Sequence, residues 1–223
     1  MHEVIQTENL CKNYLLAKQS IEVLRDITIS IQMGEYVAIM GQSGAGKSTL
    51  LNILGCLDTP SSGQYLFNGQ SVSDLRPSQL AYIRNRDIGF VFQNFNLLPK
   101  LDVEANVELA LIYGNVGKRD RKKRVQKVLE ELGLWERRQH KPNEISGGQK
   151  QRVAIARAIV KQPSIVFADE PTGNLDSKTT TEILSLFQEL NQKGNTIVLI
   201  THEHEVASRA DRKIVIVDGK VAQ

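Results

Sequence analysis

Gly41-Gln-Ser-Gly-Ala-Gly46-Lys47-Ser48-Thr49 is the stretch whose reading decides the fold. It follows a short apolar run, Tyr36 to Met40, with the length of a buried strand, and it opens a helix-compatible run from Ser48 to Leu57. Strand, glycine-rich loop and helix in that order form the P-loop pattern. The chemistry explains the spacing. Glycines allow backbone N–H groups around Ser43, Gly44 and Ala45 to point inward at phosphate oxygens, and the helix after Gly46 adds its positive end. Lys47 reaches the β and γ phosphates, Ser48 holds Mg2+, and Thr49 completes the helix start.

Outward from that loop the chain alternates between layers. Before it, Val4-Ile5, Ile21 to Leu24, and Ile27, Ile29 and Ile31 at period two predict a small antiparallel layer. After it, Ser61-Ser62-Gly63 turns into Gln64 to Phe67, and Asn68-Gly69 is a hairpin signal that resumes this layer. Ile88 to Phe92 reads as a buried strand. Asp102 to Ile112 and Arg119 to Leu132 then carry helical spacing, with Val125, Leu129 and Leu132 on one face. No convincing strand lies between about Asn94 and Val160, so residues 94–160 are expected to form an inserted helical lobe, with residues 1–93 and 161–223 forming the nucleotide-binding core. Strands at Ser164 to Ala168, Thr196 to Ile200 and Lys213 to Val217 alternate with helices, the longest from Thr179 to Gln192. The expected fold is therefore an α/β P-loop NTPase: a mostly parallel core sheet, an N-terminal antiparallel β layer and a helical insertion.

The remaining chemistry sits at strand ends. Ser164-Ile-Val-Phe-Ala-Asp169-Glu170 is a buried strand closing on two acids. Asp169 falls where a parallel sheet forms its ligand crevice and is suited to the metal's water shell. Glu170 is the candidate general base for the water that attacks the γ-phosphorus. Gln93 and His202 follow two further strands and join the same edge if those strands are parallel neighbours. They would supply an amide for metal and water, and an imidazole for the γ-phosphate.

A second glycine-rich segment, Ile145-Ser146-Gly147-Gly148-Gln149, opens another helix, with Ser146 as N-cap and exposed backbone donors at a positively biased end. One nucleotide needs one cradle. Either this second one is a plain helix cap, or it closes on a nucleotide held by another chain.

Composition narrows the class. The 223 residues are 41% hydrophobic and 24% charged, which suits a folded globular protein. The longest apolar stretches are strand-sized, well short of the roughly 18 residues a membrane span needs. The first residues lack the pattern of a signal peptide, so a cytoplasmic location is expected. Cys11 and Cys56 have no metal or disulfide spacing. A net charge of +3 is too mild to imply nucleic-acid binding, and the basic run Lys118 to Lys127 reads as a solvated helix face.

Taken together, the motifs resemble the ATP-binding cassette of ABC transporters over essentially the whole chain. Tyr14 matches the aromatic that stacks on adenine, Gly41 to Thr49 the Walker A loop and Gln93 the Q-loop. Ile145 to Gln149 matches the signature, Ile165 to Glu170 Walker B, Asn174-Leu175-Asp176 the D-loop, and His202 the switch histidine. Gly55-Cys-Leu-Asp58, Ile88 to Gln93 and Ala168 to Asp176 look like the branch of macrolide-export, lipoprotein-release and division-associated ATPases. Ile145, Glu203 and Phe167 depart from the usual residues at their positions without removing a catalytic group.

The resemblance implies ATP and Mg2+ as ligands and a head-to-tail homodimer. In it, Ser146, Gly147, Gly148 and Gln149 of one chain close on ATP held by Lys47, Ser48 and Thr49 of the other, with Asp176 at the interface. It also implies a separate transmembrane permease, through which the cassette is peripheral to the membrane's inner face. A non-transport ATPase of the division or Fe–S assembly type is the alternative.

Overall fold

The computed structural model describes residues 2–16 and 19–222. Its centre is a six-stranded sheet in the order β10-β9-β3-β8-β7-β6, made of β3 (Tyr36–Met40), β6 (Ile88–Phe92), β7 (Ile165–Asp169), β8 (Ile197–Thr201), β9 (Arg212–Val217) and β10 (Lys220–Val221). All pairings are parallel except the last, in which β10 turns back antiparallel onto β9. β3 and β8 are buried along their whole length, as strands covered on both faces must be. Ala38 and Met40 face a core shared with the helices of the insertion, while Val37 and Ile39 face the core beneath the antiparallel layer. This is the period-two alternation of a pleated strand.

The antiparallel layer has the order β2-β1-β4-β5, from β1 (Glu3–Leu16), β2 (Gln19–Gln32), β4 (Ser62–Phe67) and β5 (Gln70–Ser71). The sequence shows β2 as two separate runs because Asp26, at φ +51°, interrupts the alternation between them. β1 is longer than its sequence suggests for a similar reason. Its register against β2 shifts repeatedly and Asn9 takes φ +46°, so apolar and polar positions fall out of step.

The first helix, α1 (Lys47–Leu54), is shorter than the run to Leu57 predicts. Gly55 and the left-handed Cys56 turn the chain, and the amides of Leu57 and Asp58 both return to the carbonyl of Asn52. A helix that the sequence reading did not anticipate, α2 (Pro77–Asp87), follows the antiparallel layer. Only Leu80 and Ile83 of its eleven residues are buried, so it carries almost no apolar stripe.

Between β6 and β7 the described chain is helical: α3 (Val103–Tyr113), α4 (Lys118–Glu131), two short 3-10 turns, and α5 (Gly147–Ile159). Val125, Val128 and Leu129 form the buried face of α4, and Leu132 at its end is buried too. α6 (Ser177–Gln192) and the single turn α7 (His204–Ala207) complete the structure.

One side chain holds the end of the loop between β6 and α3, residues 98–102. Asn106 is fully buried; its Oδ1 accepts from the Leu98 amide at 2.8 Å, and its Nδ2 donates to the carbonyls of Leu98, Leu101 and Asp102 at 3.1, 3.1 and 2.9 Å. Asn106→Leu strands the Leu98 amide and the Leu101 carbonyl, the Leu98 and Asp102 carbonyls keeping backbone donors, and is expected to lower the unfolding free energy by about 2–3 kcal/mol. Urea denaturation reads this directly, and unchanged stability would show that other contacts hold the loop.

Candidate functional site

Register places the site. Phe92 pairs with Asp169, Asp169 with Ile200, and Met40 with Thr201. Four parallel strands therefore end within one residue of one another, and the residues just past them, Gly41, Gln93, Glu170 and His202, meet at one edge. Ser43, Gly44, Gly46, Lys47, Ser48, Thr49, Gln93, Asp169, Glu170 and His202 line a cleft of about 470 Å³ there. A larger hollow of about 770 Å³ lies between β1, β2 and β9, but it contains neither a glycine turn nor a helix start.

The loop's conformation requires its glycines at two points. Gly44 has φ +82° and Gly46 φ +102°, a region that side chains with a Cβ rarely adopt. Gly41 is needed for a different reason: a Cβ there would collide with the carbonyl of Ile216. Gly46 caps α1 without any side chain reaching its first amides. Those N–H groups are available to an anion. The Lys47 Nζ donates to the carbonyls of Gly41 and Gln42 at 2.7 and 2.9 Å. An ammonium has three protons, so one is left for a phosphate oxygen.

At the opposite wall, Asp169 is half-buried, and burial, reinforced by the neighbouring Glu170 and opposed by Lys47, raises its pKa above the ordinary aspartate value. Glu170 takes the left-handed φ of +44°. Its amide donates to the Ile200 carbonyl at 2.9 Å. Its Oε1 accepts from the His202 Nδ1 at 2.7 Å and from the His202 amide at 3.2 Å. Its Oε2 accepts from the Thr201 hydroxyl at 3.1 Å. A carboxylate only accepts, so the His202 proton sits on Nδ1 in this contact and Nε2 is left for other partners.

Gln93 opens the loop that Asn106 staples. Asn174 braces it from the side, donating to the Gln93 carbonyl and the Asn94 Oδ1 at 3.1 and 3.0 Å. From beneath, the Arg157 guanidinium on α5 donates to the carbonyls of Phe95 and Asn96 at 2.9 and 2.6 Å. Both of those residues have positive φ, +59° and +49°. Arg157 thus holds a turn of unfavourable backbone geometry against α5. The sequence reading missed this residue, as it missed Thr201 and Gln151, whose amide donates to the Pro171 carbonyl at 2.6 Å behind Glu170. A signal existed for Arg157, since it is a cation inside the otherwise apolar run Val153 to Ile159.

Tyr14 is not among the residues lining the cleft. Its hydroxyl donates to Asp58 Oδ2 at 2.8 Å, and Asp58 Oδ1 pairs with the Lys12 Nζ at 2.7 Å. Partial burial and the Asp58 contact raise the phenol's pKa, with the side chain of Thr49 beside it pulling the other way. The ring stands next to the start of α1, 39% exposed.

The second glycine segment also lies outside the cleft. Ser146 caps α5, its hydroxyl accepting from the Gln149 amide at 3.2 Å while Gln149 Oε1 accepts from the Ser146 amide at 2.9 Å. This reciprocal box satisfies one amide at the helix start. Asp176 caps α6 without such a box, its Oδ1 accepting from the Thr179 amide at 3.0 Å, and the Thr179 hydroxyl and that amide lower its pKa. The two caps are neighbours: Gly147 abuts Leu175, and a Cβ on Gly148 would press into Thr179. The two capped helix starts therefore form one surface, apart from the cleft.

Comparison with known proteins agrees with this geometry. Residues 24–173 match the family model described as ABC transporter. YknY, an uncharacterized ABC transporter ATP-binding protein of Bacillus subtilis (strain 168), is 52% identical over 218 residues, covering 98% of this chain and 95% of its own. The macrolide export ATP-binding/permease protein MacB of Syntrophobacter fumaroxidans is 50% identical over 222 residues, 98% of this chain but only 31% of that longer protein. Among solved structures, a dimeric post-hydrolysis state of the ATP-binding cassette MJ0796 bound to ADP and Pi superposes with a TM-score of 0.88 at 44% identity, covering 98% of this chain and 97% of the other. The chain belongs to the ABC transporter family, as an ATPase of that family.

Proposed function

We propose that this cassette is the ATP-hydrolysing motor of a macrolide-export or lipoprotein-release type of transport system. ATP draws two copies together head to tail, and hydrolysis releases them to drive a separate membrane permease. The observation that carries the dimer is the separation of the two cradles. The P-loop supplies donors from one side of the cleft, while Ser146 to Gln149 and Asp176 share a face of their own, where they serve a nucleotide only if it belongs to another chain. The dimeric form of the MJ0796 cassette supports this arrangement. The transport assignment is supported by near 50% identity to macrolide export proteins and by relatives that this chain matches over almost their full length. No helix among the described residues is long and apolar enough to cross a membrane.

Within the site, Gly41 to Thr49 hold the phosphates and Lys47 neutralises charge on the β and γ groups. Tyr14 offers its ring to the base. Glu170 orients and polarises the attacking water, and His202 stabilises charge on the γ-phosphate. The donor set also fits Mg2+. Ser48, Gln93 and Asp169 bring three oxygen donors to one cleft, the hard-ligand chemistry the ion selects. Among the described residues no group of three His, Cys, Asp or Glu side chains gathers elsewhere to hold a metal. Magnesium takes few protein ligands when phosphates and waters complete its shell. Bound there, it would neutralise phosphate charge, and it would relieve the repulsion between Asp169 and Glu170.

Four outcomes test these roles. Glu170→Gln with Mg2+ and ATP is expected to elute as a dimer in size-exclusion chromatography with light scattering; a persistent monomer overturns the dimer. Lys47→Ala is expected to abolish phosphate release. Tyr14→Ala should weaken ATP affinity about five- to tenfold, the size of one stacking contact, with turnover at saturation retained. Equal loss of turnover in both variants would refute this division of labour.

Asp169→Asn should end Mg2+-dependent hydrolysis yet raise the metal-free melting temperature at neutral pH. The sign follows from the raised pKa. The folded state favours the protonated acid, so the ionised form costs stability above the folded pKa. That cost disappears as pH falls toward the ordinary value of 3.8, and the variant's advantage shrinks with it. Melting curves across that range are the check.

A further inference from the structure

Thr201 ends β8 with 1% of its surface exposed. Its hydroxyl oxygen accepts from the Glu203 amide at 3.0 Å and lies 3.1 Å from Glu170 Oε2. The direction of the second bond is fixed, because a carboxylate only accepts and the single hydroxyl proton must go to it. β-branching stiffens the side chain, and its strand is in register with β3 on one side and β7 on the other. The other oxygen, Oε1, is held by His202, whose side chain is 65% exposed against 19% for Glu170. One carboxylate oxygen is thus tied to a buried, immobile hydroxyl, and the other to the His202 amide and to an imidazole at the mouth of the cleft.

We propose that Thr201 is a positioning residue for hydrolysis: its hydroxyl anchors Glu170 Oε2, while His202 is a removable cover on Oε1. The inference rests on Glu170 being the base. While Nδ1 and the His202 amide both donate to Oε1, its two lone pairs are taken, and this oxygen accepts no proton from water until His202 turns to the nucleotide. Withdrawal of Nδ1 frees one lone pair of Oε1, the His202 amide keeping the other, while Thr201 keeps the carboxylate plane from following. The water then passes its proton to Oε1 as its oxygen bonds to the γ-phosphorus. The bond from that phosphorus to the bridging oxygen breaks and ADP leaves; Glu170 returns its proton to the phosphate product or to solvent. Without the anchor, only the His202 amide on Oε1 restrains the carboxylate, which spends less time aligned with the water.

The test compares Thr201→Val, which keeps the shape and removes the hydroxyl, Thr201→Ala, which removes it without any risk of overfilling the site, and Thr201→Ser, which restores it. Glu170→Gln is the control. Steady-state ATPase assays give kcat and KM, and nucleotide affinity and melting temperature are measured on the same samples. The expected result is a fall in kcat of about tenfold or more for Val and Ala, the effect of losing one hydrogen bond to a charged group. KM and nucleotide affinity should stay within about twofold of the parent, and Ser should recover most of the loss. Parental kcat in both hydroxyl-free variants, a Ser variant no better than Val, or a loss confined to KM would overturn the anchor. Parental turnover in Glu170→Gln would instead remove Glu170 as the base, a separate failure that the same assays identify.

Discussion

The near-level ending of four parallel strands is the constraint on which the rest depends. Had β7 slipped by one residue against its neighbours, Asp169 would point to the opposite face and Glu170 would leave the reach of Thr201 and His202. Side-chain size opposes that slip, because Val166 and Ala168 fit the helical core while the bulkier Ile165 and Phe167 fill the other, and a slip would exchange them. The hydrophobic pattern therefore does more than stabilise the sheet. It sets the positions of the P-loop, the acid pair, Gln93 and His202 relative to one another, and only short loops separate each of them from a rigid strand.

That scaffold carries features unfavourable to stability. Asp169 is half-buried beside a second acid, Glu170 has a left-handed backbone, and Phe95 and Asn96 form a strained turn. Each is offset by a specific partner: Lys47 opposite the acids, the Ile200 carbonyl at the Glu170 amide, Arg157 beneath the turn. The Arg157 contact also joins the Gln93 loop to α5, whose first turn carries the signature.

Much of this was legible in the sequence because the governing rules are local. Tyr36 to Met40 before GQSGAGKST announces a buried strand and a phosphate loop, and Ser164 to Glu170 announces a strand ending in acids. The second helix was not legible, since Leu80 and Ile83 alone face the core. Nor were the long first strands, whose bulges at Asn9 and Asp26 break the alternation. Within the site, lining residues could be read from motifs, but their supports could not. Thr201, Asn106 and Arg157 act through contacts with residues 31, 8 and 61 positions away. Tyr14 shows the same limit: its motif position was clear, but its attachment to Asp58 was not.

The central claim is that the signature serves a nucleotide held by another chain, and one measurement addresses it directly. Ser146 is exposed, so Ser146→Arg adds bulk to the surface, at the loss of the hydroxyl that caps the Gln149 amide. In a Glu170→Gln background with Mg2+, ATP affinity of the monomer and ATP-dependent mass should be measured together. The account predicts parental ATP binding by the monomer and loss of the ATP-dependent dimer. Loss of monomer ATP binding, or a dimer that forms as in the parent, would contradict it.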